Sequence, residues 1–261
     1  MPNGHDQKGQ AMRRHDRTGV PWWAAGLTAG VVLLAGCGGS PQGPASPGSP
    51  ASHAAQTLAR VLAATRSAGT VHISVKVTIG PNTATYSSDA GVDVGRQKVT
   101  AGDGGEATVL EVNGVGYFQA SEKGLVGFLG TPLPLAQRYA GRWISFQPGD
   151  LGYQRVVSGV TIGAVADELA LTGDVTTAGA STVDGQAVNG LNGGIPLAWS
   201  APAGVTARLY VAARGKPLPV LFEGGVPPSV ERVEFSRWGE PLRVTAPAST
   251  VRSSVLSGSQ Y

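Results

Sequence analysis

The stretch Val71-His72-Ile73-Ser74-Val75-Lys76-Val77-Thr78-Ile79 decides the fold class, because its apolar residues alternate strictly with polar ones. A period of two is that of a β-strand, with Val71, Ile73, Val75, Val77 and Ile79 on one face and His72, Ser74, Lys76 and Thr78 on the other. A strand of this kind belongs to an antiparallel sheet that turns one face to a core and the other to water.

The same grammar continues on the C-terminal side. Pro81-Asn82 turns the chain into a partner strand over 83–94, and 97–101 and 107–112 extend the meander across Gly102-Asp103-Gly104-Gly105. Asn113-Gly114 is a two-residue hairpin signal before 115–120. Further strands are expected at 142–146 (centred on Trp143), 175–182, 186–191 after Asp184-Gly185, 205–213, 218–223 after Arg214-Gly215-Lys216, 230–238 and 242–245. Short connections make the pairing mostly antiparallel. Three helices interrupt the pattern. The first spans 53–68, with Ser52 as N-cap, Gly69 beyond its end and an apolar stripe of Leu58, Val61, Leu62 and Thr65. A short one follows Thr131 and Pro132, carries Leu135 and Tyr139, and ends at Gly141. The third spans 162–171, with Ile162, Val165 and Leu169 at helical spacing and Gly173 as its stop. Leu125, Val126, Phe128 and Leu129 form an apolar cluster between glycines, which reads either as core or as a flap over a cavity. The expected class is α+β, with roughly ten strands and about three short helices. Its 39 glycines and 14% charged residues suit such a turn-rich β domain.

Upstream of the first helix the chain has another character. Arg13, Arg14 and Arg17 precede an apolar run, Ala24 to Gly36, of about 13 residues, against the ~20 a helix needs to cross a bilayer. The run stops at Leu34-Ala35-Gly36-Cys37, which holds the single cysteine of the chain and resembles the lipobox of bacterial lipoproteins. That resemblance implies that the Cys37 thiol takes a diacylglycerol, that the peptide before it is cut, and that the protein sits at the outer face of the cell membrane. A thiolate is the nucleophile such a thioether requires, and small residues before it give a peptidase access. The domain plan is therefore 1–36 as cleaved signal, 37–52 as lipidated cysteine and Pro/Gly/Ser linker, 53–247 as the folded domain, and 248–261 as a flexible tail, Ser-rich and aperiodic.

Composition excludes several functions. Losing residues 1–36 removes four basic and two acidic residues and leaves a net charge of +1, with no Lys/Arg cluster for nucleic acid. Lipidation of Cys37 leaves no thiol for a disulfide or a metal site. Two of the four histidines, His5 and His15, leave with the signal; His53 lies at the linker and His72 on a polar strand face, so neither a Ser-His-Asp triad nor a zinc site is expected. Glu106 with Glu111, or Asp167 with Glu168, are the remaining carboxylate pairs, and the reading for both is solvated charge rather than acid/base chemistry. No metal, no cofactor and no catalytic residue is expected.

Two motifs carry a wider resemblance. Asn113-Gly114-Val115-Gly116-Tyr117-Phe118 followed by Tyr139-Ala140-Gly141-Arg142-Trp143-Ile144, and later Leu209-Tyr210-Val211 with Gly215-Lys216-Pro217-Leu218-Pro219, are similar to actinobacterial lipoproteins of the LppX/LprG type, relatives of the LolA/LolB carriers. The resemblance covers about residues 53–247. It implies a strongly curved antiparallel half-barrel with helices across its concave side and acyl chains held between the two layers. It also implies a non-enzymatic carrier of a lipid or lipoglycan, with Ile73, Val75, Val77, Tyr117, Leu125, Phe128, Leu129, Leu209, Val211 and Phe222 as candidate wall residues and a transporter or envelope protein as a possible partner. The alternative from another class is a cell-envelope interaction or sensor protein of the same fold with a filled core. An extracytoplasmic hydrolase is the weakest reading.

Overall fold

The computed structural model describes residues 50–79, 82–195, 205–226 and 229–256. The signal segment 1–36, Cys37, the linker up to residue 49 and the turn at Pro81 lie outside the described residues.

The strand that opens the argument, β1 (Val71–Ile79), is central in a sheet of twelve strands among the described residues. A meander runs from it to one side: β2 (Asn82–Ala90), β3 (Val94–Ala101), β4 (Glu106–Val112), β5 (Val115–Ala120) and β6 (Ile144–Phe146). A second meander, β7 (Thr172–Val183), β8 (Gln186–Gly194), β9 (Thr206–Ala212), β10 (Pro219–Val226) and β11 (Ser229–Ser236), returns to pair β11 antiparallel with β1. The sheet is open, with β7 at one edge and β12 (Val251–Arg252) at the other. Two hairpins turn where the sequence signals them. Asn113 and Gly114 have φ of 53° and 77°, and Asp184 and Gly185 have 49° and 81°, the left-handed pairs that match strand twist.

Each meander carries its own helices and its own core. Helix α1 (Pro50–Ser67) lays Ala54, Leu58, Val61 and Thr65 on the second meander beside α5 (Ile162–Glu168), burying them among Leu171, Val175, Leu191 and Leu209. The hydroxyl of Thr65 is accommodated by donating to the Val61 carbonyl (2.9 Å). Helices α2 (Glu122–Leu129), α3 (Leu133–Tyr139) and α4 (Tyr153–Val157) pack on the first meander around Phe118, Ile144 and Phe146. Two glycines hold these layers close. A Cβ at Gly95 in β3 would overlap the Val160 carbonyl of the α4–α5 connection, and one at Gly124 in α2 would overlap the Glu106 carbonyl of β4.

Several expectations need correction. Strands number twelve rather than about ten, and α-helices five rather than three, among the described residues. The Leu125 cluster is core rather than a flap: it is helix α2, with Leu125 and Phe128 buried, because Ser121 caps it by accepting from the Gly124 N–H (3.1 Å) and Gly130 closes it at φ 67°. Helix α4, rich in β-branched residues, gave no sequence signal. Helix α1 starts at Pro50, inside the expected linker and before Ser52. Helix α5 stops at Glu168, and β7 already begins at Thr172. No strand forms at 242–245. The segment after Pro247 is instead partly docked: β12 pairs parallel with β6, and a 3-10 turn, Ser253–Leu256, follows it. Ser253 Oγ donates to Asp150 Oδ2 (2.6 Å), which with the Gln147 N–H holds the Asp150 carboxyl below the usual carboxylate range.

Candidate functional site

The two cores do not merge. Between them, over the β1–β11 join, lies a cavity of about 130 Å³. Its floor is a set of directly paired residues on one face of the sheet. One row runs Phe222, Val233, Val75, Tyr86, Val99, and the next Phe235, Ile73, Ser88, Gln97, Val109, Phe118. Its roof is Phe128 and Leu129 from α2, Val156 from α4, Val165 from α5 and Leu169 just past its end. The space lies between the helices packed on the first meander and those packed on the second. Engineered apolar cavities of about 150 Å³ take one benzene, whereas whole drug-sized ligands need at least about 300 Å³. The cavity therefore matches one short apolar segment, not an entire lipid. Left unfilled, apolar space of this size costs the fold up to roughly 3 kcal/mol at ~24 cal/mol per Å³.

Of the candidate wall residues, Ile73, Val75, Val77, Phe128, Leu129 and Phe222 lie on this cavity. Four do not. Tyr117 has the wrong parity on β5, where Phe118 and Gly116 face the core and Tyr117 the other side. Leu125, Leu209 and Val211 are buried inside the two cores. Cys37 lies outside the described residues.

The polar lining was missed in the sequence. Gln97 Nε2 donates to Ser88 Oγ (2.9 Å) on the floor. At the α4–α5 connection, where exposed Ser158 brings the cavity to solvent, Ser158 Oγ donates to Glu168 Oε1 (2.8 Å). Burial raises the Glu168 carboxyl above the ordinary value despite that bond, and the Asp167 charge adds to the rise. Arg155 of α4 lines the same region. Glu231 of β11 lines the cavity as well, and its buried Oε2 has no hydrogen-bond partner. Burial, with the charge of Glu168 nearby, pushes its carboxyl well above 4.5. A signal was present: alternation from Val233 and Phe235 puts Glu231 on their face.

The carboxylate pairs separate. Glu106 is exposed while Glu111, on the opposite face of β4, is buried with an unpartnered Oε2 and is raised by burial and by Asp93; it is not on the cavity. Asp167 is exposed and pairs with Arg66 (2.7 Å). His72 lies on the far face of β1, bonded through Nδ1 to Asp89 Oδ1 (2.6 Å), which also meets Arg237, while Arg96 bonds Asp89 Oδ2. Burial raises the Asp89 carboxyl, but the His72 and Arg96 hydrogen bonds and charges outweigh it, and it lies below its ordinary value. Among the described residues no group of three or more His, Cys, Asp or Glu side chains could hold a metal, and no helix is long and apolar enough to cross a membrane.

No family model matches the chain, and no curated protein matches it in sequence. Solved structures do. The Mycobacterium tuberculosis lipoprotein LppX superposes with a TM-score of 0.50 at 16% identity, covering 74% of this chain and 99% of LppX. The fold is of the LppX/LprG type. LprF from Mycobacterium bovis gives 0.48 at 18% identity over 77% of this chain and all of LprF. The Pseudomonas aeruginosa MucA/MucB complex gives 0.38 at 19% identity over 70% of this chain and 55% of the matched one. In the LppX-type sheet of this protein, the cavity sits where the two meanders meet.

Proposed function

We propose that this protein is a non-enzymatic lipoprotein, anchored through Cys37 at the outer face of the cell membrane, that binds an acyl chain of a lipid or lipoglycan between a half-barrel sheet and the helices above it. The observation that carries this reading is the unfilled, mainly apolar cavity at the join of the two meanders, reached at the α4–α5 connection by the exposed Ser158 of its lining. A core that only stabilised the fold would gain by closing it. The cavity volume limits the bound part to one acyl segment, so the headgroup and any further chains lie outside it, near Ser158 and Arg155.

Mass spectrometry of solvent extracts tests the ligand. Purified protein should release a reproducible acylated species; protein that repeatedly yields none fits the filled-core interaction or sensor alternative. The anchor is tested separately, since Cys37→Ser should move the protein from the membrane to the soluble fraction. Unchanged fractionation would remove the anchor from the proposal.

A further inference from the structure

Glu231 lines the cavity with a buried carboxyl oxygen, Oε2, that has no hydrogen-bond partner among the described residues. Ser88 and Gln97 bond each other, and Glu168 is bonded by Ser158. Glu231 has Val77 directly opposite on β1 and Gly224 directly opposite on β10, and neither side chain can hydrogen-bond it. The next residues on its face, Val233 and Val75, are apolar too. The adjacent Arg232 points to the other face, where it binds Glu223 (2.8 Å) and Glu234 (2.9 Å). Leaving a buried carboxyl oxygen unmatched is costly, and an apolar residue there would pack without that cost. The residue nonetheless lines the cavity between the two meanders, which fits an alkyl segment.

We propose that Glu231 is the polar anchor of the cavity, and that it selects ligands whose acyl segment carries an uncharged hydrogen-bonding group, an ester or amide carbonyl or a hydroxyl. This rests on the acyl-binding reading above and specifies it. Burial keeps the carboxyl protonated at a pH where an exposed glutamate is ionised, so its O–H donates to a carbonyl and its other oxygen accepts from a hydroxyl. A cationic amine is the poorer match, because pairing it with Glu231 would strip water from two charges rather than none.

Displacement of an uncharged fluorophore carried on a short alkyl chain, the dye, from the full chain, freed of co-purified lipid, tests this with three proteins and two competitors. The competitors are a neutral monoacylglycerol and an alkyl amine of equal chain length. Wild type should prefer the monoacylglycerol. Glu231→Leu should bind the monoacylglycerol about tenfold more weakly relative to the dye, the loss of one hydrogen bond. Glu231→Gln, which still donates and accepts, should stay within about threefold of wild type. Equal monoacylglycerol affinity in wild type and Glu231→Leu overturns the inference while leaving acyl binding intact. Preference for the amine, lost in both variants, overturns it in favour of an ionised carboxylate. A tenfold loss in Glu231→Gln also counts against it. Failure of the dye to bind wild type overturns the acyl-binding reading and this inference together.

Discussion

Glu231 costs the fold stability in a way that depends on pH. Its folded pKa is raised above 4.5, so between that value and the folded pKa the native state holds a proton that the unfolded chain has released. Stability therefore falls as pH rises through that window. Glu231→Leu should remove this share of the slope, leaving the variant about 1–3 kcal/mol more stable than wild type at pH 8 and closer to it at pH 4, by urea unfolding at each pH. An advantage equal at both pH values would show that the carboxyl is not held protonated. Single residues were also where the sequence was hardest to read. Parity along β1 placed Ile73, Val75 and Val77 on one face, and the same parity along β5 would have exchanged Tyr117 for Phe118. Parity says which face a residue shares, but not whether that face meets a helix or a void, and so Leu209 and Val211, correctly on the apolar face, are core and not wall.

At the level of elements, strands with strict alternation and turns with Asn-Gly or Asp-Gly were legible because the local chemistry alone determines them. Helices α2 and α4 were not: one is an eight-residue helix set by its Ser121 cap, and the other is five residues long. Both owe their place to packing on β4 and β5, which no local pattern records. Strand β12 was missed for the same reason, since two residues are strand only because β6 lies beside them. The roof over the cavity depends on close backbone approach. Gly95→Ala should push the Val160 carbonyl off β3 and destabilise the domain by about 1–3 kcal/mol or more, read as a lowered urea midpoint. It should also weaken dye binding, because Val160 leads into α5, which with its C-terminal cap supplies Val165 and Leu169 to the roof. A variant of wild-type stability would mean that the α4–α5 connection is free to shift.

The whole molecule is two meanders, each with its own helices and core, joined by β1 and β11 and leaving apolar space at the join. Sequence reading reached the sheet, its antiparallel order and the idea of a hollow, but not its position, because the hollow arises from how two helix groups pack on the sheet, which no local pattern records. Filling that gap is the most direct test. Val75 sits in the middle of the floor, paired with Val233 on one side and Tyr86 on the other, and Val75→Phe would extend a ring into the cavity. Native mass spectrometry of both proteins, incubated with a monoacylglycerol, reads the outcome as bound equivalents. The account predicts one ligand on wild type and none on Val75→Phe, with the variant at least as stable as the ligand-free wild type. Equal loading of the two proteins would contradict it, because the ligand would then be held somewhere other than the join of the meanders.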